Sequence, residues 1–325
     1  MSWRSAWLLA AHLFWLAPAC AATSLAAWRD DAARVRITAE NDAPLAYNEA
    51  QRLQATLPTD ATAADRVRVL NLLSRIETYM ALTKAAAAHS KEAYDLAEQN
   101  GDRIGQAESD LNVTLNAINQ GKLDELVRAT QHSLVMLEGV ARPDLLGEAM
   151  LRTTIMYRRF EQFNESAETA VRAMEIARRS NDPLAMTYAH QGMAIAFFQG
   201  QHREQTKQHY ERMRAYAQAA RSKLLEAFAI GGLSAIALQV GDPVLAEQLG
   251  REAVTKYREV GAPFAIGFGL YAVADTLRLQ KRHVEAIAAL DEAIEVYRQY
   301  PNPIGLWFAL NGRSADLEAL GDLAR

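Results

Sequence analysis

Apolar positions along this chain recur at helical spacing and show no alternation of the strand kind. In Ala262–Pro301 (APFAIGFGLYAVADTLRLQKRHVEAIAALDEAIEVYRQYP), Phe264, Leu270, Val273, Ala274 and Leu277 share one helical face. Ala286, Leu290, Ala293, Val296 and Tyr297 share one face of a second helix, and the polar Gln280-Lys281-Arg282 predicts a tight corner between them. Moving the frame by about forty residues in either direction restores the pattern. Stepping from Ala274 gives Ser74, Thr114, Thr154, Ala194, Ser234 and Ser314, all small. Stepping from Ala293 gives Ala93, Ser133, Ala173, Met213 and Ala253, and stepping from Ala286 gives the looser row Ala86, Leu126, Ser166, Thr206 and Ala246. The corner returns at Gly121, Gln162, Gly200, Gly241, Lys281 and Gly321. Between hairpins lie Gly101-Asp102, Arg142-Pro143-Asp144, Asn181-Asp182-Pro183, Gly261-Ala262-Pro263 and Asn302-Pro303, where Gly and Pro stop one helix and start the next.

Small residues at fixed intervals mark the places where two antiparallel helix backbones approach closely. A lone helical hairpin cannot bury its apolar stripe, so neighbours must stack into a continuous core. The order Leu270, Ala274, Ala286, Ala293 resembles the tetratricopeptide (TPR) repeat, lengthened from its usual period of about 34 residues. HEAT and armadillo repeats, with periods of roughly 40–47 residues, are the competing reading. The resemblance implies an all-α, right-handed superhelical solenoid of antiparallel helix pairs. Regular repeats are expected over residues 63–325, about six and a half of them. Residues 23–62 read as degenerate capping helices, around Trp28–Ile37 and Pro44–Leu57. The unit Gln201–Ala220, with Met213 where Ala is expected, predicts a looser hairpin. Pro303–Leu320 reads as a first helix whose apolar side (Trp307, Leu310, Leu317, Leu320) lacks a partner, which suggests an array cut short.

Residues 1–22 read as a signal peptide: Arg4 supplies the positive start, Ala6–Ala17 the apolar run, and Pro18-Ala19-Cys20-Ala21-Ala22 a small-residue cleavage site. That implies a periplasmic or secreted protein, with acylation at Cys20 as a lesser alternative. Cleavage would remove the only cysteine. The formal charge of −4, with no basic stripe, argues against a nucleic-acid partner.

No catalytic constellation is present. There is no GxxxxGK[ST] loop, no strand-coupled GxGxxG, no GxSxG elbow and no HExxH. The histidines outside the leader are scattered; His202 and His209 read as helix surface and His190 as a core position, so neither a metal site nor a cofactor is expected. One row of first-helix positions is different in kind: Arg68, Glu108, Glu148, Tyr188, Phe228, Phe268, Phe308, aromatic in its last four members. Neighbouring rows add Tyr271, Asn311, Arg158 and Arg278. In TPR folds the first helices line a concave groove, so these eight residues, the four aromatics of the row and the four beside it, form the candidate groove for a peptide or protein partner, or a small ligand. The alternative is that the rings pack between adjacent first helices as core.

The segments MLRTTIMYRR (Met150–Arg159), TYAHQGMAI (Thr187–Ile195) and NPIGLWFALNGRSA (Asn302–Ala315), following a leader, resemble the periplasmic TPR sensory region of bacterial GGDEF diguanylate cyclases. The likeness covers most of the chain after its leader. It implies a sensory or docking role in cyclic-di-GMP signalling, but the chain carries neither a membrane helix nor a GGDEF loop to bring catalytic residues with it. Two readings follow: the input half of a signalling protein, or a stand-alone adaptor that assembles other proteins.

Overall fold

A computed structural model describes residues 24–321, so the leader segment and Cys20 lie outside it. Among the described residues all regular structure is α-helical. The helices are α1 (Leu25–Ala39), α2 (Ala43–Ala55), α3 (Ala63–Tyr79), α4 (Thr83–Gln99), α5 (Arg103–Gln120), α6 (Leu123–Leu137), α7 (Pro143–Arg159) and α8 (Phe163–Ser180). They continue as α9 (Pro183–Gln199), α10 (Arg203–Ala219), α11 (Lys223–Gln239), α12 (Pro243–Val260), α13 (Pro263–Leu279), α14 (His283–Gln299) and α15 (Pro303–Ala319). Each helix packs on the next in sequence, and odd-numbered helices also meet across hairpins, as α3 with α5, α7 with α9 and α13 with α15. This is a superhelical array of antiparallel helix pairs of the TPR type.

The small rows are the helix contacts. Ser74, Thr114, Thr154, Ala194, Ser234 and Ala274 are all buried, as are Ala93, Ser133, Ala173, Met213, Ala253 and Ala293. Two of the serines span the gap by their hydroxyls: Ser74 Oγ donates to Ala86 O at 2.8 Å and Ser234 Oγ to Ala246 O at 2.6 Å, both twelve residues on. The spacing that marks the repeat is therefore also a hydrogen-bond spacing. Met213 is fully buried in an unbroken α10, so the looser hairpin expected there is not observed.

Every corner from the second hairpin onward places one residue in the left-handed region, at Ala81, Gly121, Glu161, Gln201, Gly241, Lys281 and Gly321. Two of these lie one position from the expected Gln162 and Gly200. Glu161 and Gln201 take positive φ without glycine, which costs an L-residue strain of about 1 kcal/mol or more. At the other ends, Asp102, Asp182, Asp242 and Ser222 accept from first-turn amides, and Thr62 with Asp65 forms a capping box.

The array also closes on itself. The corner after α1 meets the start of α11: Leu224 N donates to Glu40 O at 3.0 Å and Asn41 Nδ2 to Arg221 O at 2.8 Å. The corner after α3 meets α13, with the Tyr79 and Phe264 rings 6.5 Å apart. The corner after α5 meets α15, where Gly121 lies against Ile304 so closely that a Cβ would sit 2.6 Å from its Cδ1. These pairs are separated by about 180 residues, roughly four and a half repeats. One superhelical turn thus rests on the next, and a single core cluster runs from Trp28, Ile76 and Tyr79 to Leu224, Tyr257 and Ala265.

Candidate functional site

Closure of the superhelix decides what the aromatic row can do, because it brings first helices face to face. In the N-terminal part the inner face is filled by the protein's own side chains. Arg75 of α3 reaches Glu148 of α7, Nη1 lying 3.0 Å from Oε2, and Arg152 Nη2 bonds the other oxygen at 3.0 Å. Both Arg75 and Glu148 are buried. Burial alone would raise the Glu148 carboxyl, but the charges of Arg75, Arg152 and Arg36 outweigh it and hold the group below its ordinary value. Arg36 reaches in from α1 to Glu108 and Asp144.

Tyr188 belongs to this filled interior. It is buried, and burial together with Glu148 and Glu40 pushes its phenol well above the usual range. Tyr79, beside Arg75, is pushed up to about 12 by burial. Phe228 is half-buried, its ring 5.4 Å from Tyr257 and 6.1 Å from Phe264. Tyr188 is therefore interior packing, and Phe228 lies partly against the rings of the seam between superhelical turns.

The last two are different. Phe268 is 64% exposed and Phe308 45% exposed. The Tyr271 ring lies 5.8 Å from Phe308, and Trp307, itself 61% exposed, stands edge-on to Phe308 at 5.0 Å. Asn311 is exposed beside them and donates to Trp307 O at 2.9 Å. Trp307 stood in the sequence as an apolar residue of α15, not as a member of the candidate groove. Of the two arginines, Arg278 is committed to structure: its Nε and Nη2 hold both oxygens of buried Asp316 at 3.0 Å, and Nη1 bonds Asp275. Arg158 is exposed at the end of α7, away from α13 and α15 in the chain's order of hairpins.

Sequence reasoning missed two polar clusters. Arg75, Glu148 and Arg152 sit in rows that change chemistry from repeat to repeat, so nothing periodic flags them. His190 and His209 come together with Nδ1 atoms 2.9 Å apart; His190 stacks on Tyr216 and His209 on Phe197. His190 is a core residue as expected, but His209 is half-buried as its partner and is not plain helix surface. Burial, then His209, Arg212 and Arg178, lowers His190 to about 3. Among the described residues no group of three or more His, Cys, Asp or Glu is placed to hold a metal, and no helix is long and apolar enough to cross a membrane.

No protein-family description matches the chain, and no curated protein matches it. Solved structures do. A Rap protein complexed with Competence and Sporulation Factor aligns at TM-score 0.65 and 13% identity, over 92% of this chain and 86% of that one. Aspartyl phosphate phosphatase F from Bacillus subtilis aligns at 0.59 and 13%, over 83% of this chain and 70% of its own. The signal transduction ATPase with numerous domains (STAND) from Pyrococcus horikoshii, which has a tetratricopeptide repeat sensor, aligns at 0.53 and 12%, over 84% of this chain but 43% of its own. At such identities the likeness is one of fold. None of the three is a region of a GGDEF cyclase, and they support the TPR-like array without the narrower resemblance. The periplasmic or secreted placement expected from residues 1–22 is corrected: these matches lend it nothing, and residues 1–22 lie outside those the structure describes.

Proposed function

We propose that this chain is a non-catalytic docking scaffold that binds a peptide or protein segment on the open aromatic face of α13 and α15. The observation that carries this reading is the cluster Tyr271, Trp307 and Phe308, with Asn311 at its edge and Phe268, 64% exposed, on the same helix as Tyr271. Aromatic side chains of this kind supply most of the energy at protein interfaces when a partner buries them. The non-catalytic reading is supported by how the interior charges are spent: Arg75 and Arg152 on Glu148, Arg278 on Asp316 and Asp275. The solved relative with Competence and Sporulation Factor shows that one array of this fold does hold a bound partner. Of the two roles for such a scaffold, an adaptor that assembles other proteins is better supported than the input region of a diguanylate cyclase, since the structural matches carry no link to that enzyme.

The test is selection of binders from a displayed peptide library against the full chain, followed by titration monitored by tryptophan fluorescence. Phe268→Ala and Phe308→Ala are each expected to weaken the selected peptides about tenfold or more, a loss of about 1.4 kcal/mol or greater. Unchanged affinity in both variants would move the binding surface elsewhere.

A further inference from the structure

The buried histidine pair sits among charges of one sign. His190 is 2% exposed, on a helix that packs between α8 and α10. Its Nδ1 meets Nδ1 of His209 on α10 at 2.9 Å, and its ring stacks on Tyr216 at 5.4 Å. Arg212 lies three residues after His209 and four before Tyr216, a spacing that puts all three on one face of α10. Arg178 comes in from the last turn of α8, directly after Ala177, whose apolar cluster includes Ala189 and Tyr216. Both guanidinium charges depress both imidazoles, and no carboxylate acts on either ring. Arg178 and Arg212 are exposed, and neither holds an acid among the described residues, whereas Arg214 holds Glu226 and Glu252. A cation in the last turn of α8 suits that helix end, but Arg212 is in the middle of α10 and has no such reason to be there.

We propose that Arg178, Arg212 and the His190–His209 pair form a site for a phosphate group, carried by a free phosphate or by a phosphorylated side chain of a partner. Two imidazoles with their nitrogens face to face could also suit a metal ion, but two uncompensated guanidinium charges repel a cation and no carboxylate is there to offset them. The same charges attract an anion, and the guanidinium fork matches the oxygens of a phosphate. The histidine pair supplies a third donor. When the anion arrives, His209 takes a proton from solvent, gives its Nδ1–H to the lone pair on His190 Nδ1, and turns Nε2–H to a phosphate oxygen. His190, the more deeply buried of the two, stays neutral and orients the charged ring. A free surface arginine is ordinary; two from separate helices beside a half-buried histidine, with no acid among them, are an anion site waiting for its anion.

The full chain is titrated with inorganic phosphate and, separately, with a short phosphoserine peptide and its unphosphorylated form. Binding is followed by imidazole nuclear magnetic resonance at about pH 7.5, where a phosphomonoester is almost fully ionised, with chloride holding the ionic strength constant. Saturable binding of inorganic phosphate identifies a free anion as ligand; binding of the phosphopeptide alone identifies a modified partner. In either case the His209 nitrogens are expected to move from neutral to protonated shifts at saturation. Arg178→Gln and Arg212→Gln are each expected to weaken binding about fivefold or more. Arg298→Gln, an equal loss of charge on α14, should leave it unchanged. All three arginines are exposed, so circular dichroism should show the same helicity in every variant. Binding of neither phosphate form, equal binding of the unphosphorylated peptide, equal loss in Arg298→Gln, or a His209 ring that stays neutral at saturation would each overturn the proposal.

Discussion

Arg75 and Glu148 are seventy-three positions apart and almost out of contact with water, so each is tolerable only because the other is there. Replacing Arg75 with Met removes the charge facing Glu148 and leaves Arg152 as its remaining partner. Loss of one member of a buried pair costs about 3–5 kcal/mol. Arg75→Met is therefore expected to lower unfolding free energy by an amount of that order in urea titrations. The histidine pair gives a pH dependence of definite sign. His190 sits near 3 in the fold against about 6.5 when unfolded, so the unfolded chain binds the extra proton. The contribution is complete above about pH 6.5 and is lost as pH falls toward about 3. Thermal melts at about pH 7 and about pH 4.5 should show lower stability in acid, with a shallower slope in His190→Phe. The core position of His190 was legible in the sequence, but neither pairing was, because a lone Arg, Glu or His carries no mark of the partner it will meet.

At the scale of the helix pair, the sequence was read almost completely. Ala274 and Ala293 are wholly buried because the backbones they separate leave no room for more, and that steric demand is written directly into residue size at fixed intervals. Ala274→Leu and Ala293→Phe are expected to destabilise by about 1–3 kcal/mol through overpacking, measured as a fall in the melting midpoint by circular dichroism. Tyr297 offers a sharper test. It is wedged between Gly267 of α13 and Gly305 of α15, where a Cβ would come within 2.6 Å and 2.4 Å of the ring. Gly305→Ala should separate α15 from α14 and expose the Tyr297 ring, detected as increased near-ultraviolet mobility together with a lower melting point. The misreadings at this scale have local causes. The corner residues at 161 and 201 are left-handed without being Gly, so residue type does not set them apart from Gln162 and Gly200. Met213 fits because a flexible thioether fills an irregular space that Ala would leave empty.

For the molecule as a whole, the aromatic row was visible but its division was not. Whether Tyr188 faces a ligand or a neighbour depends on the pitch of the superhelix, which no single repeat encodes. The residues that hydrogen-bond across the seam, Glu40, Asn41 and Arg221, look like ordinary loop polars. Their effect on stability should be out of proportion to their appearance. An array held only by nearest neighbours melts in sections, whereas this one ties its first hairpin to its sixth and its second to its seventh. The double variant Tyr79→Ala/Phe264→Ala is expected to split a single urea transition into two, with amide exchange in α1–α3 accelerating before that in α7–α10.

Seam contacts that skip a fractional number of hairpins also constrain how the chain can change over generations. In an ordinary solenoid a unit can be duplicated or lost with little penalty, because each neighbour greets the same kind of surface. Here, excising any forty-residue unit between the joined turns would slide Glu40 from the Leu224 edge to the Phe264 edge, and Tyr79 from Phe264 to Ile304. Every long-range partner would be exchanged at once. Length in this array is held by contacts far from the place where a unit would be gained or lost.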